Sequence, residues 1–191
     1  PATGISLGFR AHTNSKRPIT HPDDLKGMRM RVPPQEVFIQ TALAFGANPQ
    51  EIAAVEIYQA LQTQRVDGQD NPHITNFSMK FYEVQDYTSE VHYLFSLQPL
   101  VVGEKFFQSL SAEDQAMFTR AGIEAQEYNL LFSVTKSEAA KQNMIDKGVK
   151  YNEVEDEAEW SKIAMEKVWP KFYDTVGGKA EVDNVLKALG R

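Results

Sequence analysis

The segment Met28-Arg29-Met30-Arg31-Val32-Pro33-Pro34 constrains the fold more than any other part of the chain. Met28, Met30 and Val32 alternate with Arg29 and Arg31, the period of a short strand with one apolar and one cationic face. Two prolines stop that strand. Directly afterwards, Pro34-Gln35-Glu36-Val37-Phe38 opens a helical pattern, and proline suits a first helical turn. A strand that turns at once into a helix belongs to an open α/β sheet, in which ligands sit outside the carboxyl ends of the strands. Arg31 therefore stands where a small anion binds. A guanidinium can grip a carboxylate with two parallel hydrogen bonds, and the following helix N-terminus adds a favourable field. The same arginine could instead close a structural ion pair, the commoner role of a charge at a strand end.

Composition narrows the function. With 191 residues there is room for one or two domains and a core. A hydrophobic share of 42% and a charged share of 24% are ordinary for a globular chain. No apolar run approaches the ~18 residues of a bilayer span. No signal peptide is visible, and the chain does not begin with Met, as expected if its start has been processed or truncated. A net charge of −6, with no basic block, argues against nucleic acid as a partner. The absence of cysteine removes disulfides, thiolate nucleophiles and Cys-based zinc sites together, and leaves the compartment open.

Periodicity predicts the remaining elements. Residues 4–10 alternate as a strand, 13–18 form a loop, and 21–27 form one helical turn closed by Gly27. Helices are expected over about 35–45, ending at Gly46, over about 55–64 and over 74–81, with a short strand at 69–72. Residues 87–102 read as one or two strands. Ser111 looks like an N-cap, and from it to Lys147 only Gly122 interrupts a helical pattern. A helix of that length reaches roughly 50 Å, so it frays or kinks near Gly122 or bridges two lobes. A strand at 148–154, a helix at about 157–176 interrupted at Pro170, and a last helix at 180–189 complete the chain.

The second polar cluster is Asp67-Gly68-Gln69-Asp70-Asn71-Pro72. Gly68 permits a tight turn. Asn71 precedes proline, so its backbone is extended and its amide points in a fixed direction, able to donate to and accept from a ligand. An Asx-type turn at a helix end is the plainer reading. Asp67 and Asp70 lack the spacing of a calcium loop, and no metal is expected. His12, His21, His73 and His92 have no helical zinc spacing and read as solvated or core residues. No Gly-x-Ser-x-Gly elbow supports a catalytic triad. Tyr93, Phe95, Phe106 and Phe107 read as core rather than ligand-stacking residues, although one face of 92–98 could line a cleft.

Several segments together resemble the DctP-type solute-binding proteins of TRAP transporters. They are Gly8-Phe9-Arg10 with Thr13 to Ile19, Asp24 to Pro33, Phe45 to Pro49, Glu56 to Thr63 running into Val66 to Pro72, and Lys80 to Gln85. Their order and spacing agree with the family, and the similarity continues to the C-terminus. The resemblance implies a periplasmic receptor, without catalysis or cofactor, that captures a small organic acid and hands it to TRAP membrane permease subunits. It implies an α/β, periplasmic-binding-protein-like two-lobe fold with a long interlobe helix. It assigns Arg31 to the ligand carboxylate, Asn71 and Arg10 to further ligand contacts, and the segment from Tyr93 to Gln98 to the cleft wall. Asp70 replaces the family's glutamate conservatively. Ala54 and Pro34 depart from the acid-sugar receptors and argue against sialic-acid-like specificity.

On this resemblance, residues 8–96 form the second lobe, 149–191 pack on it, and 97–148 are a crossover strand and long helix joining a first lobe. Most of that first lobe lies outside these residues. Phe106, Phe107 and Phe118 would then be exposed, favouring oligomerisation or a partner fragment. A ligand sensor serving a membrane signalling protein, and an enzyme acting on small acids, are the alternatives.

Overall fold

The computed structural model describes residues 3–188 and 190. Among the described residues six strands form one sheet: β1 (Thr3–Asn14), β2 (Arg29–Val32), β3 (Asn48–Glu51), β4 (Gly68–Pro72), β5 (Tyr87–Leu100) and β6 (Lys150–Glu153). Their order is β3-β2-β4-β1-β5-β6. β1 runs antiparallel to both of its neighbours, while β2 is parallel to β3 and β4, and β5 is parallel to β6. The α/β class expected from the strand-to-helix pattern is the one observed.

The helices are α1 (Glu36–Ala44), α2 (Ile57–Gln62), α3 (His73–Ser78), α4 (Glu104–Ser109), α5 (Ala112–Asp146), α6 (Glu157–Lys167) and α7 (Lys179–Ala188). The alternation in β2 does what its sequence requires. Met28 and Met30 pack with Ile19, Leu25, Phe45, Ala47, Val91 and Trp160 in the main core, between the sheet and α1 and α6. A second core gathers Ile52, Ile57, Ala60, Leu61, Val66 and Phe81.

α5 is a single helix of 35 residues, unbroken at Gly122. Ser111 caps it by accepting from the Asp114 amide at 3.1 Å. Its C-terminal part packs on β1 and α3, and Lys141 fastens it to the sheet through Glu90 of β5, 3.3 Å away. Glu90 also accepts from the Tyr151 hydroxyl of β6 at 2.6 Å. Its neighbours His73, Tyr151 and Lys141 hold this carboxyl below the usual range against the desolvation that opposes them.

Local expectations are corrected here, and two further elements are added. Gly68 makes no tight turn: it opens β4, and a Cβ there would lie 2.3 Å from the Thr13 carbonyl of β1, so close strand approach demands the glycine. Asn48–Glu51 forms a strand that its polar composition hides, and residues 104–109 form a helix before α5. Phe95 and Phe106 are about half exposed rather than core. Phe118 is exposed as expected, whereas Phe107 is half-buried.

Candidate functional site

The charged site lies around the carboxyl ends of β2 and β4 and the facing stretches of β1 and β5. Arg31 occupies the third position of β2 and is buried. Its Nε donates to the Ile52 carbonyl at 2.8 Å, which fixes the side chain along the chain that follows β3. Among the described residues it forms no ion pair. Burial, with Asp70 attracting and Arg10 repelling, pulls its pKa below that of a free guanidinium. The group stays charged at any physiological pH. A buried cation without a carboxylate is costly, and an incoming anion relieves that cost. Val32 ends β2, and α1 begins at Glu36 with no side-chain cap on its first amides. Pro34 falls just before the helix rather than in its first turn, which leaves Gln35 at the N-cap.

Arg10 is committed differently. Its Nε donates to Asp70 Oδ2 at 2.5 Å, and a terminal nitrogen donates to the Asp70 carbonyl. Its guanidinium also sits 5.2 Å from the Phe38 ring centroid. The antiparallel register explains the pairing, since Arg10 lies opposite Pro72 and His12 opposite Asp70, placing all of these on one face. The Tyr93 hydroxyl donates to the same Asp70 oxygen. Burial alone would raise the Asp70 carboxyl, but the Arg10 charge and hydrogen bond, aided by His12 and Tyr93, hold it below the carboxylate range. Burial and the Asp70 charge push the Tyr93 hydroxyl well above its usual pKa. His12 stacks on Tyr93 with ring centroids 5.4 Å apart. Burial lowers its pKa, so the imidazole is neutral near pH 7. Two arginines and one aspartate thus leave the cluster a net single positive charge.

Asn71 is oriented from behind. Its Nδ2 donates to Gln69 Oε1 at 2.5 Å. The fully buried Gln69 in turn donates to the Thr13 hydroxyl at 2.8 Å and to Asn76 Oδ1 at 2.9 Å. Asn76 of α3 closes the loop by donating to the Asn71 carbonyl at 3.0 Å. The Asn71 amide is therefore directed by a side-chain network as well as by the following proline. In a strand, neighbours alternate in direction, so Asn71 and Gln69 face away from Asp70.

The structure brings Arg10, Arg31 and Tyr93 to one cluster around Asp70, with Asn71 beside Asp70 on β4. It does not bring Gln98 there. That residue is exposed near the far end of β5, opposite Ile5, roughly 16 Å along the strand from Tyr93. Sequence reasoning passed over Phe38, Gln69 and Asn76, and treated His12 only as a default core histidine. The spacing of Gln69, Asn71 and Asn76 carries no signal until β1 and α3 are in place. Asp67 serves elsewhere, receiving two side-chain hydrogen bonds from Arg29 at 2.8 and 3.1 Å. Among the described residues no group of His, Cys, Asp or Glu could hold a metal, and no helix is long and apolar enough to cross a membrane.

The chain and its fold are similar to those of known proteins. Residues 3–175 match the bacterial extracellular solute-binding protein family 7, DctP. The chain belongs to that family. Its members are solute-binding receptors. A C4-dicarboxylate-binding periplasmic protein DctP of Rhodobacter capsulatus is 32% identical over 84% of this chain and 50% of its own length. A solute-binding protein of Chromohalobacter salexigens is 30% identical over 86% of this chain and 49% of its own. The chain spans about half the length of such curated relatives. Among solved structures, a TRAP periplasmic solute-binding protein from Chromohalobacter salexigens with bound D-glucuronate superposes with a TM-score of 0.88 at 27% identity. It covers 97% of this chain and 60% of that protein. An apo, open receptor of the same kind from Rhodobacter sphaeroides gives 0.83 at 33% identity, covering 97% and 60%.

Proposed function

We propose that these residues form the carboxylate-gripping part of a periplasmic receptor for a small organic acid, which serves TRAP membrane permease subunits and carries out no chemistry on its ligand. The observation that carries this reading is Arg31: buried, held by one backbone carbonyl and, among the described residues, without a carboxylate partner. A ligand carboxylate would complete it with two charge-assisted hydrogen bonds. Arg10, held in place by Asp70, would read a neighbouring oxygen of the ligand. Named relatives bind acids of this kind, among them D-glucuronate, β-D-galacturonate and succinate in solved structures.

In this reading residues 97–148 join a further lobe. The apolar side chains exposed along 97–134, such as Leu97, Val101, Phe106, Phe118 and Leu131, would pack against it. Closure of that lobe would remove water from the arginine cluster and so strengthen its grip on the anion.

The test is a thermal-shift screen of the full receptor chain against small mono- and dicarboxylates, keto acids and sugar acids. A ligand at a hundredfold excess over its Kd stabilises by about 2.7 kcal/mol, which is roughly 5–10 °C for 150–250 residues and less for a longer chain. Arg31→Ala should abolish the shift, and Arg31→Lys should weaken it severely, because an ammonium lacks the planar fork. Folded protein that shifts with no acid, or a shift that survives Arg31→Ala, refutes the reading.

A further inference from the structure

His12 sits inside the arginine cluster without a hydrogen bond. It is 6% exposed, and neither ring nitrogen has a partner among the described residues. Its stacking on Tyr93 fixes the ring but engages neither nitrogen. A neutral imidazole carries one donor and one acceptor, and leaving both unmet in a buried place is costly.

Its neighbours have capacity to spare. Arg31 is engaged through Nε, by the Ile52 carbonyl, and its terminal nitrogens bond to no protein group among the described residues. The Asp70 carboxylate receives Arg10 and Tyr93 on Oδ2, and no protein donor among the described residues reaches Oδ1. His12, Arg31, Asp70 and Tyr93 together line one small cavity of about 20 Å³. A single water needs roughly 10–15 Å³ of such space and two to four polar partners. The rest of the wall is mostly apolar, with Met30, Phe38 and Phe45, and the Thr41 hydroxyl there already donates to the Val37 carbonyl.

The chemistry of these groups selects water over an ion. Arg31 only donates, the Asp70 carboxylate only accepts, and His12 does one of each. A cation would sit beside two arginines, and an anion against the Asp70 carboxylate. Water donates two protons and accepts on its oxygen, so it serves all three residues at once.

We propose that this cavity is a buried water site, in which one water donates to Asp70 Oδ1 and to a His12 nitrogen and accepts from a terminal nitrogen of Arg31. His12 is then a positioning residue that steadies the Arg31 guanidinium through the water. A guanidinium has five N–H groups. Ile52 takes one and the water takes one, which leaves three, enough for a two-point grip on a carboxylate. That last role of Arg31 rests on the receptor reading above; the water site does not.

Crystal structures of the full receptor chain without added acid test the proposal, in the parent and in two variants. The parent should show one ordered water within about 3.2 Å of a His12 nitrogen, an Arg31 terminal nitrogen and Asp70 Oδ1. His12→Gln keeps a donor and an acceptor and should keep the water. His12→Leu presents an apolar side chain, should lose the water, and should leave the Arg31 guanidinium turned or spread over more than one orientation. Parent density that shows no water there, or that shows an ion, overturns the proposal. A water that persists in His12→Leu overturns it too, because His12 is then not what holds it. Should His12→Leu fail to fold, the parent and His12→Gln decide: a water lost from folded His12→Gln overturns the proposal, and a water kept in both supports it. The readout is density at a named place, which a merely less stable variant does not imitate. A receptor that shifts with no acid leaves this water site standing, and an absent water leaves Arg31 able to take a carboxylate, so the two readings fail separately.

Discussion

Replacing Asp70 by asparagine isolates the physics of the site. In the native cluster the Asp70 carboxylate is 4% exposed, and it accepts from Arg10 and from the Tyr93 hydroxyl. Asparagine keeps the shape and one acceptor oxygen but removes the charge. The equally enclosed Arg10 then loses its counter-ion, and the cluster rises from one net positive charge to two. Breaking one side of a buried ion pair costs roughly 3–5 kcal/mol. The retained acceptor puts this case at the low end, about 3 kcal/mol. With a urea dependence of about 2 kcal/mol per molar, the unfolding midpoint should fall by about 1.5 M. The double variant Arg10→Met/Asp70→Leu removes both charges and should return to within about 1 kcal/mol of the parent, since an apolar replacement of a buried pair is close to neutral. The acid side of the stability profile supplies a second readout. Asp70 is held below the ordinary aspartate range, so its contribution is complete above that range and is lost as pH falls through the folded value. The asparagine variant should lack that part of the acid limb. A single variant with an unchanged midpoint, or a double variant as damaged as the single, would refute the view that Asp70 neutralises Arg10.

Gly68→Ala should cost upwards of about 2 kcal/mol in the same urea titration, because the added methyl meets the Thr13 carbonyl at 2.3 Å and β1 must move away from β4; an unaffected midpoint would show that the strands can part freely. Asp67 has its carboxyl held at about 2 by the Arg29 hydrogen bonds, against desolvation. After screening around the half-exposed Arg29, this leaves about 1 kcal/mol of stability that is present above the ordinary aspartate value near 4 and lost between there and pH 2. Asp67→Asn should remove that slope, and an acid limb identical to the parent's would contradict it.

Local chemistry made much of this protein legible from its sequence. Alternation of Met28, Met30 and Val32 with two arginines specified a strand, its apolar face and its end, because a strand's period and the two prolines act within a few residues. Ser111 and Gly46 marked helix ends for the same reason: a cap is satisfied by neighbours in the chain. Arg31 stood out because it lies at the end of a strand that two prolines stop, and Asn71 because the proline after it holds its backbone extended. What only the tertiary structure decided is which charges meet. Arg10 and Asp70 are 60 residues apart in the chain and adjacent only through the antiparallel register of β1 on β4, so no local pattern shows that Arg10 is spoken for and Arg31 is free. Gln98 sits in the same strand as Tyr93, yet the length of β5 carries it away from the cluster. Phe38, Gln69 and Asn76 became part of the site through packing partners on β1, β5 and α3. Gly68, read as a turn residue, proved to be set by the approach of another backbone. Hydrogen bonding, capping and alternation are short-range and are written in order along the chain; charge compensation and close packing are properties of surfaces that exist only once the sheet has formed.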